Sequence, residues 1–240
     1  MNVLSLCSGI GALDLGLERA GMTTVGQVER DPFCQRVLAK HWPEVPKHDD
    51  VKTAVDWWRS RQRPPIHLVT AGFPCQPASH AGKRLGEDDE RWLWPDVDRL
   101  VGELRPEWFM FENVPGLRTK GLGTVLADLG RRGYRVRVGT ISACAVGAPH
   151  TRTRLFGVAH APSLRLERRW GTWTPAQGLE HEGRRPQSDR PWSARSRPHG
   201  VAYGLASRVD RLKAIGNAVV PDVAERIGRL IVAAESAVAA

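Results

Sequence analysis

Cysteine is scarce in this chain of 240 residues: Cys7, Cys34, Cys75 and Cys144 are all there is, with no Cys-x-x-Cys pair and no histidine spacing beside them. That excludes a zinc ribbon and a disulfide framework as organising devices and suits a reducing compartment. No apolar stretch approaches the roughly 20 residues that span a bilayer. The opening Met1-Asn2-Val3-Leu4-Ser5-Leu6 lacks the basic start of a secretory signal. The expectation is a cytoplasmic protein with no membrane partner. Internal repeats are absent, and no metal site is suggested. Acidic residues are in deficit, 26 against 35 Lys and Arg, giving a net charge of +9 and a pI near 10.0. This balance favours a polyanion, nucleic acid first, as partner.

What is present is a βα alternation. Val3 to Cys7, Thr24 to Val28, Ile66 to Ala71, Glu107 to Phe111, Val136 to Ser142 and Leu155 to Ala159 read as strands. Between them Ala12 to Ala20, Pro32 to His41, Arg91 to Leu104 and Thr124 to Arg132 carry helical spacing, with Gly21 and Gly133 as stops. A doubly wound α/β domain over residues 1–160 follows. Composition then shifts: residues 161–200 hold eight arginines, four acidic residues and three tryptophans among Pro, Gly and Ser, without a period. Residues 161–206 are read as a short loop-rich unit, and residues 207–240 as a C-terminal return with a helix from about Asp222 to Val238. The length suits one core with a small appendage.

Ser8-Gly9-Ile10-Gly11 follows the first strand and opens a helix, so its amides can approach an anionic group. The third glycine of a dinucleotide fingerprint is replaced by Asp14, which disfavours a dinucleotide. Glu29 closes the second strand at the distance where a carboxylate accepts from ribose hydroxyls. Further on, Ala71-Gly-Phe-Pro-Cys-Gln-Pro77 sets Cys75 between two prolines straight after an apolar run, so its thiol can be aimed. Glu112 follows a second apolar run, placing a nucleophile and an acid at the carboxyl ends of parallel strands.

Pro74-Cys75-Gln76 and Glu112-Asn113-Val114, in this order and with the glycine loop before them, resemble motifs of the DNA (cytosine-5) methyltransferase family. The resemblance implies a Rossmann-like fold dependent on S-adenosylmethionine, with a mostly parallel sheet and a small target-recognition region. It implies that Ser8, Gly9, Ile10 and Gly11 take the methionine end of the cofactor, Glu29 the ribose and Asp50 the adenine amino group, with Asp49 as the alternative to Asp50. Val51, Pro74, Asn217 and Ala218 complete that pocket, since Gly216-Asn217-Ala218-Val219 is similar to the family's last motif. The same tetrapeptide also reads as a helix N-terminus capped by Asn217.

In the implied chemistry Cys75 attacks C6 of cytosine and Glu112 activates the ring at N3, which requires a carboxyl pKa lifted by burial. Pro149-His150-Thr151-Arg152-Thr153-Arg154 is similar to a Gln-x-Arg-x-Arg motif with His150 for glutamine; Arg154 is the candidate for cytosine O2, and Arg152 for phosphate or the catalytic loop. Arginines at i and i+2 share one face, so both are expected in the cleft. Residues 78–94, with Ser79, Gly82, Lys83, Arg84 and Gly86, are read as that loop, and Arg91 as the start of the next helix. The acceptor of the C5 proton is not identified. Cys7 stands where the family has phenylalanine and Ala12 where it often has glycine, which implies a weaker hold on the cofactor. Double-stranded DNA is the implied partner of a monomer, and the resemblance leaves two settings open, a restriction system with a cognate endonuclease as partner or a solitary phage-type enzyme. RNA cytosine methylation and a catalytically silent binding relative are the alternatives.

Overall fold

The computed structural model describes residues 1–74, 92–148, 150–161 and 208–236, with Arg208 described in its backbone only. Its centre is a seven-stranded sheet in the order β3-β2-β1-β4-β5-β7-β6. The strands are β1 Asn2–Leu6, β2 Thr23–Val28, β3 Lys47–His48, β4 Leu68–Ala71, β5 Trp108–Asn113, β6 Arg135–Ser142 and β7 Thr153–His160. β1 to β5 run parallel, while β7 is antiparallel to both β5 and β6. The helices are α1 Ala12–Arg19, α2 Pro32–His41, α3 Ala54–Arg59, α4 Trp94–Leu104, α5 Leu122–Arg131, α6 Arg208–Asn217 and α7 Pro221–Ser236.

Central strands buried on both faces read as unbroken apolar runs, and β5, Trp-Phe-Met-Phe-Glu-Asn, is buried throughout. Period 2 then splits its residues between two cores. Phe109 and Phe111 join Leu4, Leu6 and Val69 against residues of α3, α4 and α5. Trp108 and Met110 join Val3, Leu68 and Val158 against α1 and α7. The α1–α7 seam is close: a Cβ on Gly16 would stand 2.3 Å from the carbonyl oxygen of Pro221, so the helices meet backbone to backbone.

Local signals explain the boundaries. Asp31 caps α2 by accepting from the amides of Phe33 and Cys34 at 2.9 and 3.2 Å, with Pro32 entering the first turn. Gly21 and Gly133 adopt left-handed φ values of 89° and 87° just past α1 and α5, as the sequence reading expects of helix stops.

Several expectations need correction. β1 ends at Leu6 because Cys7 turns into the left-handed region at φ 52°. α4 begins at Trp94, since Trp92 and Leu93 are not helical; Arg91 lies outside the described residues. β3 and α3 were not foreseen, and residues 208–217 form a helix where a lead-in was expected. Asn217 therefore ends α6 and is not an N-cap. Cys75, residues 78–91 of the 78–94 loop and residues 162–206 of the 161–206 unit lie outside the described residues.

Candidate active site

Strand order reverses between β1 and β4, and parallel sheets hold ligands beyond the carboxyl ends of their strands at such a point. A cleft of about 540 Å³ opens there. It takes in Ser8, Gly9, Ile10, Glu29, Asp50, Val51, Pro74, Asn217 and Ala218, together with Glu112 and Arg154. Gly11 is not in its wall. It turns the chain behind it at φ 80°, where a Cβ would strike the Trp42 ring at 2.4 Å.

One end of the cleft is built on β1 and β2. The amide of Gly9 donates to Glu29 Oε2 and the amide of Asp31 to Glu29 Oε1, both at 2.7 Å. The loop's first free amide thus meets the chain's own carboxylate, not an outside anion as the glycine pattern suggested. Each Glu29 oxygen keeps a second acceptor position. Burial first, and then the charges of Glu29 and Asp50, push the Cys7 thiol up to about 12, so it is a neutral wall. Asp50 accepts from the amide of Lys52 at 2.9 Å and is partly buried. Asp49 also borders the cleft, but its side chain is 76% exposed, which favours Asp50 as the fixed acceptor.

The C-terminal return closes this end. Lys213 of α6 pairs with Asp31 Oδ2 at 3.0 Å, and Ala214, Asn217, Ala218 and Val219 face the cleft. Neither Asp31 nor Lys213 is evident as a site residue in sequence; the cap signal at Asp31-Pro32 gave only the helix start.

The other end is built on β5 and β7. Arg154 Nε stands 3.0 Å from Glu112 Oε1, and the two side chains are 19% and 9% exposed. This is a charge contact without hydrogen-bond alignment, so Oε1 retains its acceptor. Burial pushes the Glu112 carboxyl up to about 7 although Arg154 and Arg152 pull it down. Arg152 is not among the residues lining the cleft, yet its charge acts on Glu112 together with that of Arg154. It precedes β7, and its Nε and Nη2 are buried without a hydrogen-bond partner among the described residues. Asn113, quoted in the motif but given no role, donates from Nδ2 to the carbonyl of Phe73 at 3.1 Å. It therefore pins the turn that leads to Pro74 and Cys75.

A buried polar layer lies beneath the cleft. Gln27 Nε2 donates to Asp14 Oδ2 at 2.7 Å, and both residues are fully buried. Burial, partly opposed by the hydrogen bond from Gln27, pushes Asp14 up to about 6.

The seven-stranded order with an antiparallel β7 between β5 and β6 places the fold with Rossmann-like methyltransferases, whose solved structures share it. A DNA modification methyltransferase described from an Escherichia coli prophage matches with a TM-score of 0.59 and 31% identity, covering 69% of this chain and 48% of that one. The Dnmt2 methyltransferase of S. pombe matches in fold with a TM-score of 0.56 at 23% identity, covering 67% and 51%. The C-5 cytosine-specific DNA methylase profile matches residues 1–191, and the chain belongs to that family. Among its relatives, the Type II methyltransferase M2.BsuMI of Bacillus subtilis is 36% identical over 168 residues, covering 66% of this chain and 42% of the relative. M.HgiCII of Herpetosiphon aurantiacus is 37% identical, covering 64% and 36%. M.AquIA of Picosynechococcus is 32% identical, covering 76% and 79%. The chain thus spans about two fifths of the first two relatives and most of the third. Among the described residues no helix is long and apolar enough to cross a membrane.

Proposed function

We propose that this chain transfers a methyl group from S-adenosylmethionine to C5 of cytosine in double-stranded DNA. The observation that carries the reading is one cleft holding two chemically different acidic ends. At one end Glu29 and Asp50 are fixed acceptors suited to ribose hydroxyls and an exocyclic amine. At the other, Glu112 is a carboxyl poised near neutrality beside Arg154. Val51 and the neutral Cys7 add apolar wall between the acceptors. The residues fit the cofactor, which when bound supplies an electrophilic methyl on a sulfonium.

The chain's own groups perform the rest. The Cys75 thiolate forms a bond to C6 while Glu112 holds a proton at N3, so the ring's electron pair gathers at C5. Arg154 steadies cytosine O2 and Glu112 together. C5 takes the methyl group; a water molecule then takes the C5 proton, the freed electron pair expels the Cys75 sulfur from C6 as thiolate, and the N3 proton returns to Glu112 as the ring regains aromaticity. Because C6 is hidden in a duplex, the base must be flipped out of the stack. Residues 161–206 choose the target, their arginines contacting phosphate. The protein acts in the cytoplasm as a monomer, beside a cognate restriction endonuclease.

The test is incubation with methyl-labelled cofactor and duplex DNA, with tRNA in parallel. Label in DNA, lost with Cys75→Ser, and a gel-stable adduct on 5-fluorocytosine DNA are expected. Label in tRNA alone, or full turnover of the serine variant, would overturn the reading.

A further inference from the structure

Sheet register places four residues in a row across the cleft. Leu6 pairs with Val28 and with Ala71, and Ala71 pairs with Phe111. The residues that follow them, Glu29, Cys7, Gly72 and Glu112, therefore stand side by side at the carboxyl ends of four adjacent strands, Glu112 still within β5. Glu29 marks the cofactor end, Glu112 the base end, and Gly72 lies between them.

Gly72 is held in place on both sides. Its amide donates to the carbonyl of Leu6 at 3.2 Å, and the next carbonyl, that of Phe73, accepts from Asn113. Yet nothing among the described residues explains why this residue is glycine. Its φ is not in the left-handed region, so an L side chain is compatible with the backbone. Among the described residues a Cβ would meet only Cys7 O at 3.6 Å and Glu112 Oε2 at 3.8 Å, both ordinary contacts. Gly11 and Gly16 are different, because a Cβ at either would collide with Trp42 or with Pro221. Position 72 costs the protein conformational entropy with no gain in packing against the described residues. What glycine leaves there is open space in the cleft wall, between the carbonyl of Cys7 and the carboxyl of Glu112.

We propose that Gly72 is a specificity-determining residue: its missing side chain keeps open the passage through which the methyl group reaches C5, and so limits the size of the alkyl group transferred. This rests on the methyl-transfer reading of the cleft. A methyl on residue 72 would fill the slot between the two ends and push the donor methyl or the ring out of line. Displacement of about 1 Å from attack geometry costs on the order of 100-fold in rate.

The experiment compares Gly72→Ala with wild type in three measurements on the full chain: thermal melting, calorimetric dissociation constants for S-adenosylmethionine and for S-adenosylhomocysteine, which lacks the methyl, and methyl transfer to duplex DNA. The variant is expected to melt no lower than wild type. It should bind S-adenosylhomocysteine within about twofold of wild type, while the ratio of the two dissociation constants shifts at least about tenfold against the methylated ligand. Turnover should fall on the order of 100-fold. An unchanged ratio, unchanged turnover, lower melting or equal loss of both ligands would overturn the proposal, the last two because glycine would then serve the backbone. The binding ratio needs no turnover. A wild-type chain that binds both ligands without methylating DNA sinks the catalytic reading separately from the role of Gly72, and one that binds neither sinks both.

Discussion

Arg154 Nε lies 3.0 Å from Glu112 Oε1, yet this carboxyl titrates near 7 because burial outweighs the charge of the guanidinium beside it. A carboxyl held this way is shared between neutral and ionised forms in the pH range where cells operate. Only the neutral form can place a proton on a ring nitrogen.

Arg154→Gln should move the Glu112 titration upward, since the variant removes a charge that lowers it. The folded state binds this proton more tightly than the unfolded chain, whose carboxyl keeps its ordinary value of 4.5. The stability it contributes is complete below about 4.5 and is lost as pH rises through about 7. In the variant that loss should occur at higher pH. Carbon-13 titration of the Glu112 carboxyl, with urea midpoints across the same range, reads both; titration at the ordinary value in wild type would contradict it.

Glu112→Gln should reduce methyl transfer on the order of 100-fold or more while leaving the cofactor dissociation constant within about twofold. Glutamine can still hydrogen-bond the base but has no acidic proton to share. Single-turnover kinetics and calorimetry separate the two quantities. Loss of cofactor binding would move Glu112 to the other end of the cleft.

Glu29→Ala should raise the cofactor dissociation constant at least about tenfold, equivalent to about 1.4 kcal/mol. It should also lower the melting temperature, because the amides of Gly9 and Asp31 lose their acceptor. Unchanged cofactor titration in a destabilised variant would show that Glu29 serves only the loop.

Asp14→Asn should stabilise the protein at pH 8 and change little at pH 4. The buried carboxyl, pushed from 3.8 up to about 6, contributes its full stability below 3.8 and loses it as pH rises through about 6. A shift of this size corresponds to about 3 kcal/mol at most. Asparagine keeps an oxygen to accept from Gln27 without the buried charge. Denaturant midpoints at the two pH values decide it, and equal effects at both would remove the charge argument.

The sequence announces elements that carry their own punctuation. α2 runs from Pro32 to His41 as expected because Asp31-Pro32 is a cap written in two residues. β5 and Glu112 are legible because a buried central strand is an unbroken apolar run that stops at the acid. β3 is not, because a Lys-His pair of two residues has no period to detect. α6 is hidden for another reason: Val209, Leu212 and Ile215 are exposed on it, so its apolar residues do not report a buried face. The bond from Gly9 to Glu29 depends on left-handed turns at Cys7 and Gly9, and nothing about a cysteine predicts the first of these. Arg152 follows the pattern of its motif and acts on Glu112 through its charge, but it precedes the regular strand and is not among the residues lining the cleft.

The seam between α1 and α7 carries a consequence for biosynthesis. Arg229 reaches back to the carbonyl of Arg19 across 210 residues of sequence, and Leu13 and Leu17 are covered by the same helix. During translation at about 5–20 residues per second, the helix that follows the glycine loop waits tens of seconds for its cover. Until then its apolar side faces solvent or a chaperone. Any product that stops short of α7 carries the acid and the loop but leaves Leu13 and Leu17 without that cover.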